Sequence, residues 1–248
     1  MRPAGARARW RDLIAGSVPG CLSALLMALH PGPALADAMP VDLELMLAVD
    51  VSVSVDDEEF QLQRQGYVRA LTHPLVIEAA MAGPLRRIAV SYVEWADTDL
   101  QIDVTGWRLL DGPESAKAIA AAIESAPALR GQFTAVGAVI EHAVQSFAGN
   151  RFAGTWQVLD VSGDGVANDG PAPRRARDKA VASGITINGL PLGRPGQDVT
   201  GHYAAEVVGG DGAFTLPAED RDAFADAILA KLLREISWTG GPRAGTDR

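Results

Sequence analysis

The sequence predicts a doubly wound α/β domain: a mostly parallel sheet with one antiparallel edge and helices on both faces. Three observations carry that prediction. Strand-like and helix-like segments alternate along the chain, the order a parallel sheet requires because each crossover needs a helix. Residues 43–54 (LELMLAVDVSVS) begin as a mostly apolar run rich in Leu and Val, which reads as a strand buried on both faces. One later connection is too short for any crossover, so the strand it leads into must pair antiparallel.

Residues 1–36 stand apart from the fold. Arg2, Arg7, Arg9 and Arg11 make a basic start, residues 13–29 are mostly apolar, and Ala34-Leu35-Ala36 has the small-x-small form of a cleavage site. A secretory signal peptide cleaved after Ala36 is expected, which places the mature protein in the periplasm. Gly16, Pro19 and Gly20 interrupt a run already short for a membrane span. Cys21 follows Val18-Pro19-Gly20, a poor lipoprotein box because apolar residues continue beyond it.

The first strand ends in Asp50-Val51-Ser52-Val53-Ser54. Alternate side chains of an extended segment share a side, so Asp50, Ser52 and Ser54 are expected to point together. A helix over 56–71 opens on Asp56-Asp57-Glu58-Glu59, four acids suited to the positive end of a helix dipole. It buries Phe60, Tyr67 and Leu71 and stops at His73-Pro74. Residues 87–95 form the second strand. Asp97-Thr98-Asp99 then turns into 100–104, where apolar and polar residues alternate; this hairpin supplies the antiparallel edge.

An Ala-rich helix over 113–125 carries Pro113 near its first position. The helix over 134–147 has the clearest 3.6-residue periodicity, with Val136, Val139, Ile140, Ala143, Val144 and Phe147 in its stripe. A buried strand follows at 156–161, then the loop 162–170 (SGDGVANDG). A helix over 172–183 is closed by Gly184. Residues 185–192 are a strand, 202–208 a short helix and 213–216 a short last strand. Phe224, Ile228, Leu232 and Ile236 mark a final amphipathic helix. With no internal repeat, the chain reads as one domain over 41–238 and a flexible tail over 239–248.

Removing the leader leaves 212 residues, enough for a sizeable single core. The remaining 18 basic and 30 acidic residues give a net charge of −12, which argues against nucleic acid and anionic membrane surfaces as partners. The leader also contains the only cysteine. The expected mature protein therefore has neither disulfides nor soft thiolate metal sites. No membrane insertion is expected after cleavage.

Open α/β sheets bind ligands beyond the C-terminal strand ends, where the strand order reverses. If the strands at 43–54 and 156–161 are neighbours there, the loops DVSVS and SGDG face each other. The loop Gly131-Gln132-Phe133-Thr134 opens the most regular helix and can reach the same rim. Together these loops offer Asp50, Ser52, Ser54, Thr134 and Asp164, two carboxylates and three hydroxyls. Such hard oxygen donors suit Mg²⁺ first, then Mn²⁺ or Ca²⁺. With so few charged ligands the ion keeps water or an open position, which a partner's carboxylate can fill.

Asp50-x-Ser52-x-Ser54, Thr134 in TAVGAVI and Asp164-Gly165 after a strand resemble the metal-ion-dependent adhesion site of von Willebrand factor A domains. The resemblance spans roughly residues 41–238. More narrowly, DVSGDG, INGLP and AFADAILAKLLREI resemble a bacterial family of exported proteins, the DUF1194 group. The resemblance implies a Rossmann-like six-stranded sheet with one antiparallel edge, an Mg²⁺ site, and metal-dependent binding of a protein partner that offers an acidic residue. It further implies direct coordination by Ser52, Ser54 and Thr134, with Asp50 and Asp164 acting largely through water. One departure is Ser162-Gly163-Asp164-Gly165, which carries an extra glycine before the aspartate.

Blander readings compete residue by residue. Ser54 and Thr134 can be helix caps, and Asp164 a plain turn residue. Asp160, inside a strand, reads as a buried, hydrogen-bonded structural carboxylate. Glu94 is a weak site candidate and Trp95 core or cleft wall. Asn168 and Asp169 are expected to shape the loop after Asp164. His73, His142 and His202 are isolated and none reads as a ligand. Arg174, Arg175 and Arg177 read as a solvated helix face.

Two whole-protein alternatives remain. GDGVAND after an early strand-end aspartate resembles haloacid-dehalogenase-type phosphohydrolases, which also use Mg²⁺. That chemistry needs an acid two residues after the nucleophile, where this chain has Ser52, and a lysine shortly before the late motif, where only the distant Lys117 precedes it. The other alternative is a metal-free fold in which the hydroxyls and carboxylates satisfy one another. A serine hydrolase is weaker, since there is no G-x-S-x-G elbow.

Overall fold

The apolar run forms β1 (Met39–Asp50), and its side chains alternate between two cores. Leu43, Leu45, Leu47 and Val49 enter one core, Met46 and Ala48 the other. Burial on both faces is why Leu45–Val49 shows no polar alternation; the polar Asp42 and Glu44 before it are buried too, accepting from Leu85 N–H and Gly154 N–H. In the computed structural model of the protein, residues 38–218 and 221–237 are described. The expected signal peptide and C-terminal tail lie outside the described residues.

After β1 come α1 (Asp57–Leu71), α2 (Pro74–Ala80), β2 (Ile88–Trp95), β3 (Gln101–Asp103), β4 (Arg108–Leu110) and α3 (Pro113–Ser125). Then follow α4 (Val136–Gly149), β5 (Phe152–Gly163), α5 (Pro173–Ala182), β6 (Ile185–Pro191), α6 (Val199–His202) and α7 (Arg221–Ser237). The sheet has six strands in the order β3-β2-β1-β5-β6, with β4 also pairing β2. β1 runs parallel to both β2 and β5, and β5 parallel to β6. The chain winds outward from β1 in one direction and then the other, so the strand order reverses between β1 and β5 as expected.

The antiparallel edge is present, but two short strands make it. Val93–Trp95 pairs with β3, and Ile88–Val90 with β4. Between them Val104 N–H and Thr105 N–H both donate to Tyr92 O, while Tyr92 N–H donates to Thr105 Oγ1 at 2.9 Å. The break is a bulge, helped by Gly106 at φ 57°. The short strand expected at 213–216 does not form; only isolated bridges such as Gly189–Thr215 and Leu192–Ala218 occur there. The six-strand count therefore holds with β4 in place of that segment. Gly189 N–H donates to Phe214 O and Leu216 N–H to Gly189 O, so the segment meets β6 at single bridges that do not extend into a ladder.

Helix ends also moved. Asp56 caps α1, accepting from Glu59 N–H at 2.9 Å. His73-Pro74 ends α1 but starts α2, with His73 Nδ1 accepting from Leu75 N–H. Pro74 suits a first turn, where its missing N–H costs nothing. The expected helix at 202–208 starts earlier, as α6, and continues as a π-helical turn over Tyr203–Val207. α4 buries the predicted Val136, Val139, Ile140, Ala143 and Phe147 against the face that also carries Met46 and Ala48. α1, α3 and α7 cover the opposite face. Gly184 follows α5 at φ 87°, as the helix stop required.

Candidate metal centre

β1 ends at Asp50, and the next residues turn rather than extend. Val55 N–H donates to Ser52 O at 3.0 Å, and Ser52 N–H donates back to Asp50 Oδ1 at 2.8 Å. Strand pleating is thus not what gathers the three oxygens; a tight turn does it. Ser52 Oγ lies 2.9 Å from Ser54 Oγ, and Ser54 Oγ donates to Asp164 Oδ1 at 2.7 Å. Below the turn, Val51, Val55, Phe60 and Ala96 pack as a small apolar cluster that anchors it.

Two further loops are laced to this one. Gly131 N–H donates to Val51 O, and Ala135 N–H to Ala96 O. Asp97 Oδ1 accepts from Gln132 N–H at 2.7 Å and Phe133 N–H at 2.6 Å. Thr134 and Asn168 exchange bonds: Thr134 N–H donates to Asn168 Oδ1 at 2.8 Å, and Asn168 N–H donates to Thr134 O. Thr134 Oγ1 borders Gly165, 3.2 Å from where a Cβ there would sit. Asp169 ties the same loop to Thr98, accepting from its hydroxyl at 2.7 Å. Asn168 and Asp169 thus shape the loop, as expected.

All five predicted residues come to the strand ends at the β1/β5 reversal. The cap readings fail for both hydroxyls: Asp56, not Ser54, caps α1, and α4 starts from Ala135 with no side-chain cap. Asp164 is more than a turn residue, being buried and bonded to Ser54. Asp50 is fully buried, and its Oδ2 has no hydrogen-bond partner. Burial pushes its carboxyl up to about 7; the Ser52 N–H opposes the shift, and the charges of Asp164 and Glu59 add to it. Two buried acids, one with an unsatisfied oxygen, and three hydroxyls form a donor set that fits a hard cation. Among the described residues no cluster of three or more His, Cys, Asp or Glu side chains is arranged to hold a metal. Any ion here would rest on the hydroxyls as much as on the acids.

Several neighbours were not legible in the sequence. Arg194, on the loop after β6, places Nη1 3.6 Å from Asp164 Oδ2. Glu59, read only as a first-turn acid, is buried and near enough to act on Asp50; its neighbour Phe60 in the apolar stripe was the available signal. His202 Nε2 accepts from Ala167 N–H at 3.2 Å, so it steadies the loop. Tyr203 carries a fully buried hydroxyl without a partner. Glu94 leaves the site altogether, held in a two-bond pair by Arg64 at 2.7 and 2.9 Å. Trp95 is wholly buried core. Of the α5 arginines, Arg174 and Arg175 are exposed as expected, Arg174 pairing with Glu206, whereas Arg177 is partly buried and bonds to Asp178 and Ala205 O.

The extra glycine has a steric cause. A Cβ on Gly163 would stand 2.7 Å from Tyr203 Oη and 2.8 Å from Asp50 Oδ2. Gly163→Ala is expected to destabilise the fold by about 1–3 kcal/mol through overpacking. Removing the hydroxyl with Tyr203→Phe should recover part of that loss. Urea unfolding of the two single variants and the double variant measures it, and strictly additive effects would refute the clash.

An open, mostly parallel sheet reversing beside such loops defines a doubly wound, Rossmann-like class, and the likeness to the solved structures below gives its form as a von Willebrand factor A-type fold. A family model described as "Protein of unknown function (DUF1194)" matches residues 40–240, and the chain belongs to that family. Solved structures share the fold at low identity. The vWF domain of the type V pili tip protein Mfa5 from Porphyromonas gingivalis is 10% identical with a TM-score of 0.58, covering 84% of this chain and 99% of that one. The von Willebrand factor type A structure from Catenulispora acidiphila is 14% identical at TM-score 0.56, covering 82% and 43%. Proximal thread matrix protein 1 from the mussel byssus, solved with a zinc-occupied MIDAS motif, is 18% identical at TM-score 0.55, covering 79% and 47%. The chain thus spans about half the length of that mussel protein. No curated protein sequence matches the chain.

Proposed function

We propose that this protein is an exported, periplasmic binding module that holds a divalent cation and uses it to take an acidic side chain of a protein partner. Mg²⁺ is the preferred ion, with Mn²⁺ or Ca²⁺ as substitutes. Ser52, Ser54 and Thr134 would hold it directly, and Asp50 and Asp164 largely through water. The ion supplies a Lewis-acidic point of attachment; the chain's own residues fix its place and neutralise its charge. The observation that carries this reading is the convergence of Ser52, Ser54 and Asp164 beside a buried Asp50 oxygen with no partner. The zinc-occupied motif of the mussel protein supports it by analogy of fold. Among the described residues no helix is long and apolar enough to cross a membrane.

The metal-free reading has an observation of its own, because the hydroxyls and Asp164 already bond to one another. It leaves the buried Asp50 Oδ2 unsatisfied, which favours the metal-bound reading. The phosphohydrolase reading loses ground for different reasons: the position two residues after Asp50 holds the hydroxyl of Ser52, not an acid, and the exposed Lys117 pairs with Glu114 on its own helix. A ligand present at about 100 times its dissociation constant stabilises a fold by about 2.7 kcal/mol. Saturating Mg²⁺ should therefore raise the melting temperature of EDTA-treated protein by roughly 5–10 °C. An unchanged melting curve across millimolar Mg²⁺, Mn²⁺ and Ca²⁺ would sink the proposal in favour of the metal-free fold.

A further inference from the structure

The rim of this centre carries features that neither the ion nor the fold requires. Seven large apolar side chains are exposed among the described residues; Val53, at 62%, is the most exposed, and Phe133 stands at 52%. Val53 lies between Ser52 and Ser54, and Phe133 directly precedes Thr134. Scattered exposed apolar residues need no explanation. These two are different because each is one residue from a proposed ligand and each sits on a fastened loop. Asp97 and Asn168 hold the backbone on both sides of the Phe133 ring, accepting from Phe133 N–H and Thr134 N–H. The ring is thus presented to solvent by a hydrogen-bonded frame.

The third feature is Arg194. Its side chain is 38% exposed while it touches Asp164 at 3.6 Å, and Gln197 on the same loop accepts from Val166 N–H beside the site. The protein as a whole is acidic, with a net charge of −9. A guanidinium next to the centre makes a local positive spot on a surface that otherwise repels acids. A planar guanidinium also matches a carboxylate held side-on better than a lysine would.

Resting on the metal-dependent reading above, we infer that this rim selects one kind of partner segment: an exposed acidic side chain with an apolar residue adjacent to it. The acid meets the ion and Arg194, and the apolar neighbour packs on Phe133 and Val53. Charge complementarity chooses the carboxylate, and the two apolar side chains choose which carboxylate.

The test is an array of immobilised nonapeptides with a central Asp or Glu and systematically varied neighbours, probed with the full-length protein in Mg²⁺ and in EDTA. Binding should require Mg²⁺ and favour Leu, Val or Phe beside the acid over Gly or Lys by about tenfold. Phe133→Ser together with Val53→Ser should erase that preference while leaving Mg²⁺ binding by calorimetry unchanged, and Arg194→Gln should weaken all acidic peptides alike. Intact Mg²⁺ binding with no peptide bound, no neighbour preference, or a preference that survives the double variant would overturn the rim assignment. Absence of Mg²⁺ binding in the wild type would instead refute the proposed function on which it rests.

Discussion

Lys231→Ala is expected to cost the domain about 3–5 kcal/mol, the usual result of stripping the counter-ion from buried charge. Lys231 on α7 is 0% exposed, and its Nζ lies 2.5 Å from Asp160 Oδ1 on β5 and 2.6 Å from Glu235 Oε1 one helical turn on. Asn188 on β6 adds a bond to Glu235 Oε1 at 2.9 Å. One ammonium thus serves two carboxylates and pins the last helix to the central sheet. Its removal should lower the melting temperature by roughly 10–15 °C. Lys231→Met keeps most of the volume, so a comparable loss in that variant assigns the effect to charge. A Met variant as stable as wild type would show instead that the pairing contributes little.

The same cluster makes stability depend on pH. Burial, reinforced by Asp160 and opposed by Lys231, pushes the Glu235 carboxyl from 4.5 up to about 7. Between those values the folded protein keeps a proton that the unfolded chain releases. The contribution is therefore complete below about pH 4.5 and is lost as pH rises through about 7. Glu235→Gln should flatten that part of the stability curve, measured by chemical unfolding from pH 4 to 8. An unaltered slope would place the titration elsewhere.

Asp50→Asn is the second large effect, and it should separate function from stability. Loss of the charge is expected to abolish Mg²⁺ binding by calorimetry and with it the Mg²⁺-induced rise in melting temperature. In EDTA at pH 8 the variant should be as stable as wild type or more so, by about 1 kcal/mol. The reason is that wild type must there keep a carboxylate buried with one oxygen unsatisfied. A variant that binds Mg²⁺ normally would remove Asp50 from the site. One that melts far lower in EDTA would make Asp50 a structural residue, as the metal-free reading requires.

Much of the fold was legible because its signals are local. The two-sided apolar run of β1, the stripe on α4 and the four acids opening α1 each report an environment through neighbours a few residues away. The candidate site was legible for a related reason: Asp50, Ser52, Ser54, Thr134 and Asp164 lie at element ends, where polar residues interrupt apolar pattern. β4 and the false strand at 213–216 show the limit. Three-residue strands carry almost no periodicity, and whether they pair depends on what edge the rest of the sheet offers.

By itself, then, the sequence determined the class of fold, the central strand and the three loops that carry hard oxygen groups. Only the tertiary structure decided how those groups meet: a turn after Asp50 rather than a continuing strand, with Ser54 reaching Asp164. It alone paired Asp160 with Lys231, placed Arg194 on Asp164, and explained Gly163 by the Tyr203 hydroxyl. These contacts join residues that are far apart in the chain. No local pattern encodes them, because they arise only once the sheet order brings those residues into reach.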